Sequence, residues 1–165
     1  MYEALKNNGF DGGKVLEPSM GVGNFFGKMP TDIRDKSKLY GVELDSISGR
    51  IAQKLYPSAN IKITGFEKLD VKDNTYDVAI GNVPFGGYSL NEAAYNKYHF
   101  AIHDHFFAKS LDKVKPNGIV AFITSTGTLD KANPKIRKYI AERADLVGAI
   151  RLPNTAFKGN AGTEV

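Results

Sequence analysis

A chain of 165 residues with 42% hydrophobic and 24% charged side chains has the composition of one soluble globular domain, and nothing in it suggests disorder. The lack of cysteine excludes disulfides and thiolate metal sites, no apolar run approaches the roughly 20 residues that span a bilayer, and "MYEALKNNGF" lacks a signal peptide's layout. The net charge is +4: residues 1–99 balance 12 basic against 12 acidic side chains, while residues 100–165 carry 10 against 6, which permits a polyanionic partner but is more often a solvated surface. A cytoplasmic protein without a membrane partner is expected.

The first β-branched run, "KVLEP" (14–18), reads as a strand that enters "EPSMGVGNFFG" (17–27), a Gly-x-Gly turn opening a short helix. Tight strand-to-helix turns need glycine for steric reasons alone, so this pattern is weak by itself. Two details sharpen it. The spacing Gly21, Gly23, Gly27 is not the Gly-x-Gly-x-x-Gly of dinucleotide sites, and Glu17 sets a carboxylate just before the turn. That charge repels a pyrophosphate and attracts a cation. S-adenosylmethionine carries a sulfonium and an ammonium, and suits such a turn better than NAD does.

A second strand, "KLYGVEL" (38–44), ends at Glu43, whose two carboxylate oxygens could accept both hydroxyls of a ribose. This supports a nucleoside without choosing one. Asp45 is best read as the N-cap of a helix over "SISGRIAQKLYP" (46–57), which Pro57 stops. After a third strand, "NIKIT" (60–64), Phe66 could stack on an adenine and Glu67 receive its amino group, although Phe66 taken alone reads as core.

The fourth strand, "YDVAIGN" (76–82), runs into "GNVPFGGY" (81–88), a string of ordinary turn formers at a strand end. "YNKYHF" (95–100) then reads either as a loop over the site, with Tyr95 or Tyr98 touching a base, or as packed surface aromatics. A helix follows over 101–118. His99, His103 and His105 invite a metal reading, but they lack an evident further ligand, and no metal is expected. A fifth strand, "GIVAFITS" (118–125), a helix over 133–144 with Asn133 as N-cap and Pro134 at its first position, and a sixth strand, "LVGAIRL" (146–152), complete the order. Strand and helix in alternation predict an α/β fold: a mainly parallel twisted sheet with helices on both faces, and ligands beyond the carboxyl ends of the strands.

"EPSMGVGNF" resembles the acid-Pro-small-x-Gly-x-Gly-x-Phe motif, and "NVPF" the Asn-Pro-Pro-aromatic motif, of class I S-adenosylmethionine-dependent methyltransferases of the N6-adenine DNA type. The tail "AIRLPNTAFKGNAGTEV" resembles the strand-six region of type I restriction-modification methylase subunits, and the chain as a whole is similar to the methylase-like domain of very large methylase-helicase proteins of mobile elements. The resemblance implies a Rossmann-like fold and S-adenosylmethionine as cofactor, held by Glu17, Pro18, Ser19, Gly21, Gly23, Phe25, Glu43, Leu44, Phe66 and Glu67. It implies a catalytic segment Asn82, Val83, Pro84 and Phe85: the Asn82 side-chain oxygen and the residue 83 carbonyl accept the N–H groups of the target amine, and Phe85 stacks on the extruded base.

Val83 stands where the family usually has proline; the carbonyl survives, and rigidity is lost. A ribosomal-RNA guanine or protein glutamine amine as target, and an inactive module that binds cofactor or DNA, are the alternatives. The partners implied are DNA with a flipped adenine and the rest of a larger polypeptide or a specificity subunit, the 165 residues being a catalytic domain without its target-recognition part. The final antiparallel strand of such a fold is expected to be truncated, leaving strands five and six with open edges that favour self-association.

Overall fold

The computed structural model describes residues 1–153 and 156. Five strands, β1 (Lys14–Glu17), β2 (Lys38–Glu43), β3 (Asn60–Ile63), β4 (Tyr76–Asn82) and β5 (Val114–Ile123), form one parallel sheet in the order β3-β2-β1-β4-β5. Among the described residues seven α-helices accompany them: α1 (Tyr2–Asn7), α2 (Asn24–Gly27), α3 (Thr31–Arg34), α4 (Ser46–Leu55), α5 (Ile102–Lys113), α6 (Gly127–Asp130) and α7 (Lys135–Ala141). The chain steps outward from β1 through β2 to β3, then returns to β4 on the other side of β1. The strand order therefore reverses between β1 and β4, the place where a parallel sheet opens a crevice.

Successive residues of the central strands enter opposite cores, as expected of a sheet covered on both faces. Val15, Val78 and Ile80 join Leu5, Phe26, Ile33 and Ala52 on one side; Leu16 and Ala79 join Phe66, Ile102 and Phe106 on the other. At about 1.5–3 kcal/mol for each large apolar side chain removed from water, these two layers supply the main drive for folding. A third cluster, of Tyr95, Phe100, Ala108, Ile136 and Tyr139, seats α7 against α5.

Three expectations need correction. The segment 146–152 is no strand: residues 145–153 have no regular secondary structure, nothing pairs with the outer edge of β5 among the described residues, and Leu146, Val147 and Ile150 face solvent. A β-branched run makes a strand only where a ladder receives it. The helix foreseen over 101–118 stops at Lys113, because Pro116 cannot continue a helix and Val114 already pairs with Tyr76 of β4. Asn133 and Pro134 sit one position earlier than foreseen, with Pro134 flanking α7 and the Asn133 side-chain oxygen accepting the Lys135 N–H at 2.9 Å.

In α4, Asp45 caps the helix by accepting the Ser48 N–H at 2.6 Å. Its bulkiest apolar side chains, Ile47, Ile51 and Leu55, point to solvent, while Gly49 and Ala52 face the sheet. A Cβ on Gly49 would lie 2.8 Å from Ile63, so close approach to the edge strand β3 selects the small-residue face. No helix among the described residues is long and apolar enough to cross a membrane.

Candidate active site

The first strand ends in a carboxylate that the fold buries almost completely. Glu17 is 1% exposed, and its Oε2 has no hydrogen-bond partner. Burial pushes the carboxyl up to about 9, with a smaller contribution from the Glu43 carboxylate, while the amides of Phe25 and Phe26 at the start of α2 oppose the rise. Alone, this buried acid keeps its proton at pH 7; a cation seated against the unpaired oxygen would favour the charged form and offset its burial.

The turn beyond it is built from main-chain geometry. Gly21 and Gly23 have φ of 54° and 86°, the left-handed region that glycine enters without strain. They serve different ends. A Cβ on Gly23 would lie 2.4 Å from the Tyr56 ring, whose hydroxyl donates to the Gly23 carbonyl at 2.7 Å; a Cβ on Gly21 would meet nothing, so the surface above it is open. On α2, Phe25 is partly buried in the first core cluster, and its carbonyl accepts the Tyr2 hydroxyl at 2.7 Å.

Glu43, at the end of β2, reaches back to this turn. Its Oε2 accepts the Gly21 N–H at 2.7 Å, and its Oε1 accepts the Asp45 N–H at 2.8 Å. Both oxygens thus have one main-chain donor and retain further acceptor capacity. Leu44 beside it is 75% exposed.

At the end of β3 the expectation for Phe66 is overturned. It is 2% exposed, with Phe106 at 4.9 Å between ring centroids and the Lys109 ammonium 5.1 Å from its ring, so no face is free to stack on a base. Its size and apolarity recruit it to the second core cluster instead. Glu67 next to it is half-buried, and its carbonyl accepts Lys109 Nζ at 3.2 Å.

Across the switch point, β4 delivers Asn82 to the surface at the level of the glycine turn. The Ser19 hydroxyl donates to the Asn82 carbonyl at 2.9 Å, and a Cβ on Gly81 would come 3.6 Å from Glu17 Cγ and 3.7 Å from Pro18. The two segments singled out in the sequence are therefore neighbours in space, tied through Ser19. Asn82 is exposed; Val83 is buried in the second cluster, its N–H donating to the Ile123 carbonyl at 3.1 Å; Pro84 and Phe85 are half-buried, with Phe85 packed on that cluster. The Val83 anchor onto β5 supplies part of the fixity that a proline at this position would give.

The stretch 91–98 is held from below. Glu92 binds the His105 ring at 2.9 Å and Lys109 Nζ at 2.8 Å. Burial by itself would raise the Glu92 carboxyl, but these two partners outweigh it and hold the group below its usual range. Burial also lowers Lys109, against the pull of Glu92. Tyr95 donates to Asp112 at 2.7 Å, as does Tyr139 at 3.0 Å. Tyr95 is therefore a buried strut, and Tyr98, stacked on Phe100 at 5.0 Å, is packed with it; of the two earlier readings of these tyrosines, packing is the one observed. The three histidines part company, and no group of three or more His, Cys, Asp or Glu side chains among the described residues is arranged to hold a metal. No local pattern points to the Glu92 and Asp112 anchors, since each joins residues 13 to 27 positions apart.

Residues 31–157 match the Eco57I restriction-modification methylase family. Over its whole length the chain is 33% identical to the Defense against restriction protein B of Escherichia phage P1, of which it spans 7%. It is 30% identical over 117 residues, 68% of this chain and 30% of the relative, to the Modification methylase CviBIII of Paramecium bursaria Chlorella virus NC1A. Its fold superposes on the type I restriction-modification system methyltransferase subunit from Streptococcus thermophilus with a TM-score of 0.68, covering 84% of this chain and 35% of that one at 16% identity. The chain thus spans a minor part of each of these proteins, with the Rossmann-like sheet that the alternation of strand and helix implied. It belongs to the Eco57I restriction-modification methylase family.

Proposed function

We propose that this domain transfers a methyl group from S-adenosylmethionine to the exocyclic N6 amine of adenine in DNA. The observation that carries the reading is the pairing at the switch point: the buried Glu17 and the Gly21–Gly23 turn on one strand end, and Asn82-Val83-Pro84-Phe85 on the next, joined by the Ser19 to Asn82 hydrogen bond.

The residues fit the cofactor. The orphaned Glu17 oxygen suits its cationic end, Gly21 leaves the turn open, and Glu43 keeps lone pairs for ribose hydroxyls. Pro18, Ser19, Gly23 and Phe25 shape this turn, and Leu44 and Glu67 would hold the cofactor's adenine. When bound, S-adenosylmethionine supplies an electrophilic methyl group on its sulfonium. The chain's own residues act on the amine, whose lone pair is delocalised into the ring. The Asn82 amide oxygen and the Val83 carbonyl accept its two N–H groups, which withdraws the lone pair from conjugation and leaves it on nitrogen, towards the methyl group. Phe85 stacks on the base, a contact worth ~1–3 kcal/mol, against the few kcal/mol of extruding it from a duplex. Positioning and preorganised dipoles then carry the rate, and the proton lost from the methylated nitrogen passes to solvent.

The test is transfer of radiolabelled methyl to adenine-containing DNA, with guanine-only and protein acceptors alongside, using this chain and the same chain carried in a longer protein. Asn82→Ala is expected to lower the rate ~10²–10³-fold, the usual cost of one preorganised polar contact to the reacting group. Undiminished activity in that variant would remove Asn82 from the mechanism, and activity on the other acceptors alone would change the substrate class.

A further inference from the structure

The basic excess in the second part of the chain is gathered rather than scattered. No acidic residue stands between Glu92 and Asp104, nor between Asp130 and Glu142, while Lys97, Lys131, Lys135, Arg137 and Lys138 lie in these two stretches. The stretches are distant in the chain, and the fold joins them. The Tyr98 and Phe100 rings both meet the Tyr139 ring of α7 edge-on, at 5.1 and 5.3 Å between centroids, and Lys135 Nζ donates to the Tyr98 carbonyl at 3.2 Å. Ile136 and Tyr139 take up the buried side of α7, which leaves Lys135 and Lys138, one turn apart, exposed. Lys97 is exposed beside them, its ammonium 5.0 Å from the centre of the half-buried Tyr98 ring.

A merely solvated surface intersperses the two signs of charge, as where Lys6 pairs with Asp32, Lys36 with Asp11 and Lys115 with Asp77. Of the five cations in the two stretches, only Lys131 has a carboxylate partner among the described residues, Asp104, and Arg137 is turned to the Lys131 carbonyl. Lys97, Lys135 and Lys138 repel one another, a cost that a bound polyanion would turn into attraction.

Their position bears on the site. β4 and β5 run parallel, so the segments that leave them stand at one end of the sheet, the end that carries Asn82. A Cβ on Gly86 would lie 3.4 Å from Ile102, so the chain just past Phe85 packs where the 97–100 stretch enters α5. Exposed cations spread over two elements suit a repeating charge better than one small anion.

We propose that Lys97, Lys135 and Lys138 form a strip that binds the phosphodiester backbone of DNA and sets how the strand lies as its base enters at Asn82. The strip rests on the reading of DNA as substrate and reads no base itself.

Lys97→Gln, Lys135→Gln and Lys138→Gln, singly and together, are compared with Lys54→Gln and Lys62→Gln, exposed lysines of α4 and β3 at the far edge of the sheet. Fluorescence anisotropy reads the binding of an end-labelled, adenine-containing duplex over a series of salt concentrations. Each strip substitution is expected to weaken binding and to flatten the slope of log affinity against log salt by about 0.9, and the three together by roughly 2.7, while the two controls leave it unchanged. Affinity for S-adenosylmethionine, from calorimetry, is expected to stay the same throughout. Controls that flatten the slope as much, a triple variant that binds as the wild type does, a wild-type chain that binds no duplex, or tighter binding of an RNA duplex of the same sequence would each overturn the strip. Methyl transfer separates its failure from that of the adenine reading. Binding through the strip without methylation of adenine would refute the adenine reading alone; transfer by the triple variant with an unchanged KM for DNA would remove the strip and leave that reading standing.

Discussion

The two sides of the switch point reach order by different means. On the β1–β2 side, the turn that would receive a cofactor is made by local main chain: two left-handed glycines, and a Glu43 carboxylate that gathers the N–H groups of Gly21 and Asp45. On the β4–β5 side, the segment between β4 and α5 has only one short 3-10 turn, Asn96–Tyr98, and is held by side chains reaching far along the chain, from Glu92 to His105 and Lys109, and from Tyr95 to Asp112. The first region is preorganised by backbone conformation. The second is only as fixed as a few buried ion pairs and hydrogen bonds, and so is the more adaptable of the two.

The contrast is broken most severely by removing a buried partner on the second side. Lys109 is 1% exposed, so Lys109→Met leaves Glu92 with one partner fewer in a half-buried setting; a loss of about 3 kcal/mol is expected in urea unfolding, near the lower figure for breaking a buried pair. Glu92→Gln in that background should recover part of it, since it removes the stranded charge. A loss below about 0.5 kcal/mol would mean that the pair behaves as an exposed one.

A second prediction sharpens the contrast through pH. Glu17 takes up its proton more readily when folded than its ordinary 4.5, at about 9, so the folded chain holds a proton that the unfolded chain gives up between those values. Its contribution to stability is complete below about 4.5 and is lost as pH rises through about 9. Relative to Glu17→Gln, the wild type should therefore lose stability by up to about 1.4 kcal/mol per pH unit within that window. Melting curves of both proteins at several pH values check this, and parallel pH dependence would show that Glu17 is charged when folded.

The smallest effect belongs to the local side. Asp45→Ala removes the cap on the Ser48 N–H and should cost about 1 kcal/mol without touching the Gly21 turn, because Glu43 accepts the residue 45 N–H, which alanine retains. Urea unfolding gives the cost, and hydrogen exchange at Gly21 shows whether the turn stays closed.

Much of the local side was legible from the residues. Acid, glycines and the Asp45 cap act within a few positions of one another, so their spacing carries the geometry. That Glu17, Gly21, Gly23, Glu43 and Asn82 stand at strand ends was legible too; that those ends adjoin follows from the strand order, which only the folded sheet shows. Phe66, Tyr95, Glu92 and Lys109 could not be read in this way: an aromatic or charged side chain has the same local signal whether it lines a site or braces a core, and the choice depends on what packs opposite.

The sequence by itself determined the parallel α/β sheet and the two motifs at its strand ends, because alternation, glycine spacing and capping are short-range physics. Tertiary structure alone decided the strand order that makes the switch point, that 146–152 would not be a strand, that α4 would turn its isoleucines outward, and that one lysine and one glutamate 17 residues apart would pin the segment between β4 and α5. Each of these depends on a partner distant in the chain: a ladder edge, a close-packed neighbouring strand, or a buried opposite charge. No window along the chain contains that partner, and only the folded arrangement brings it within reach.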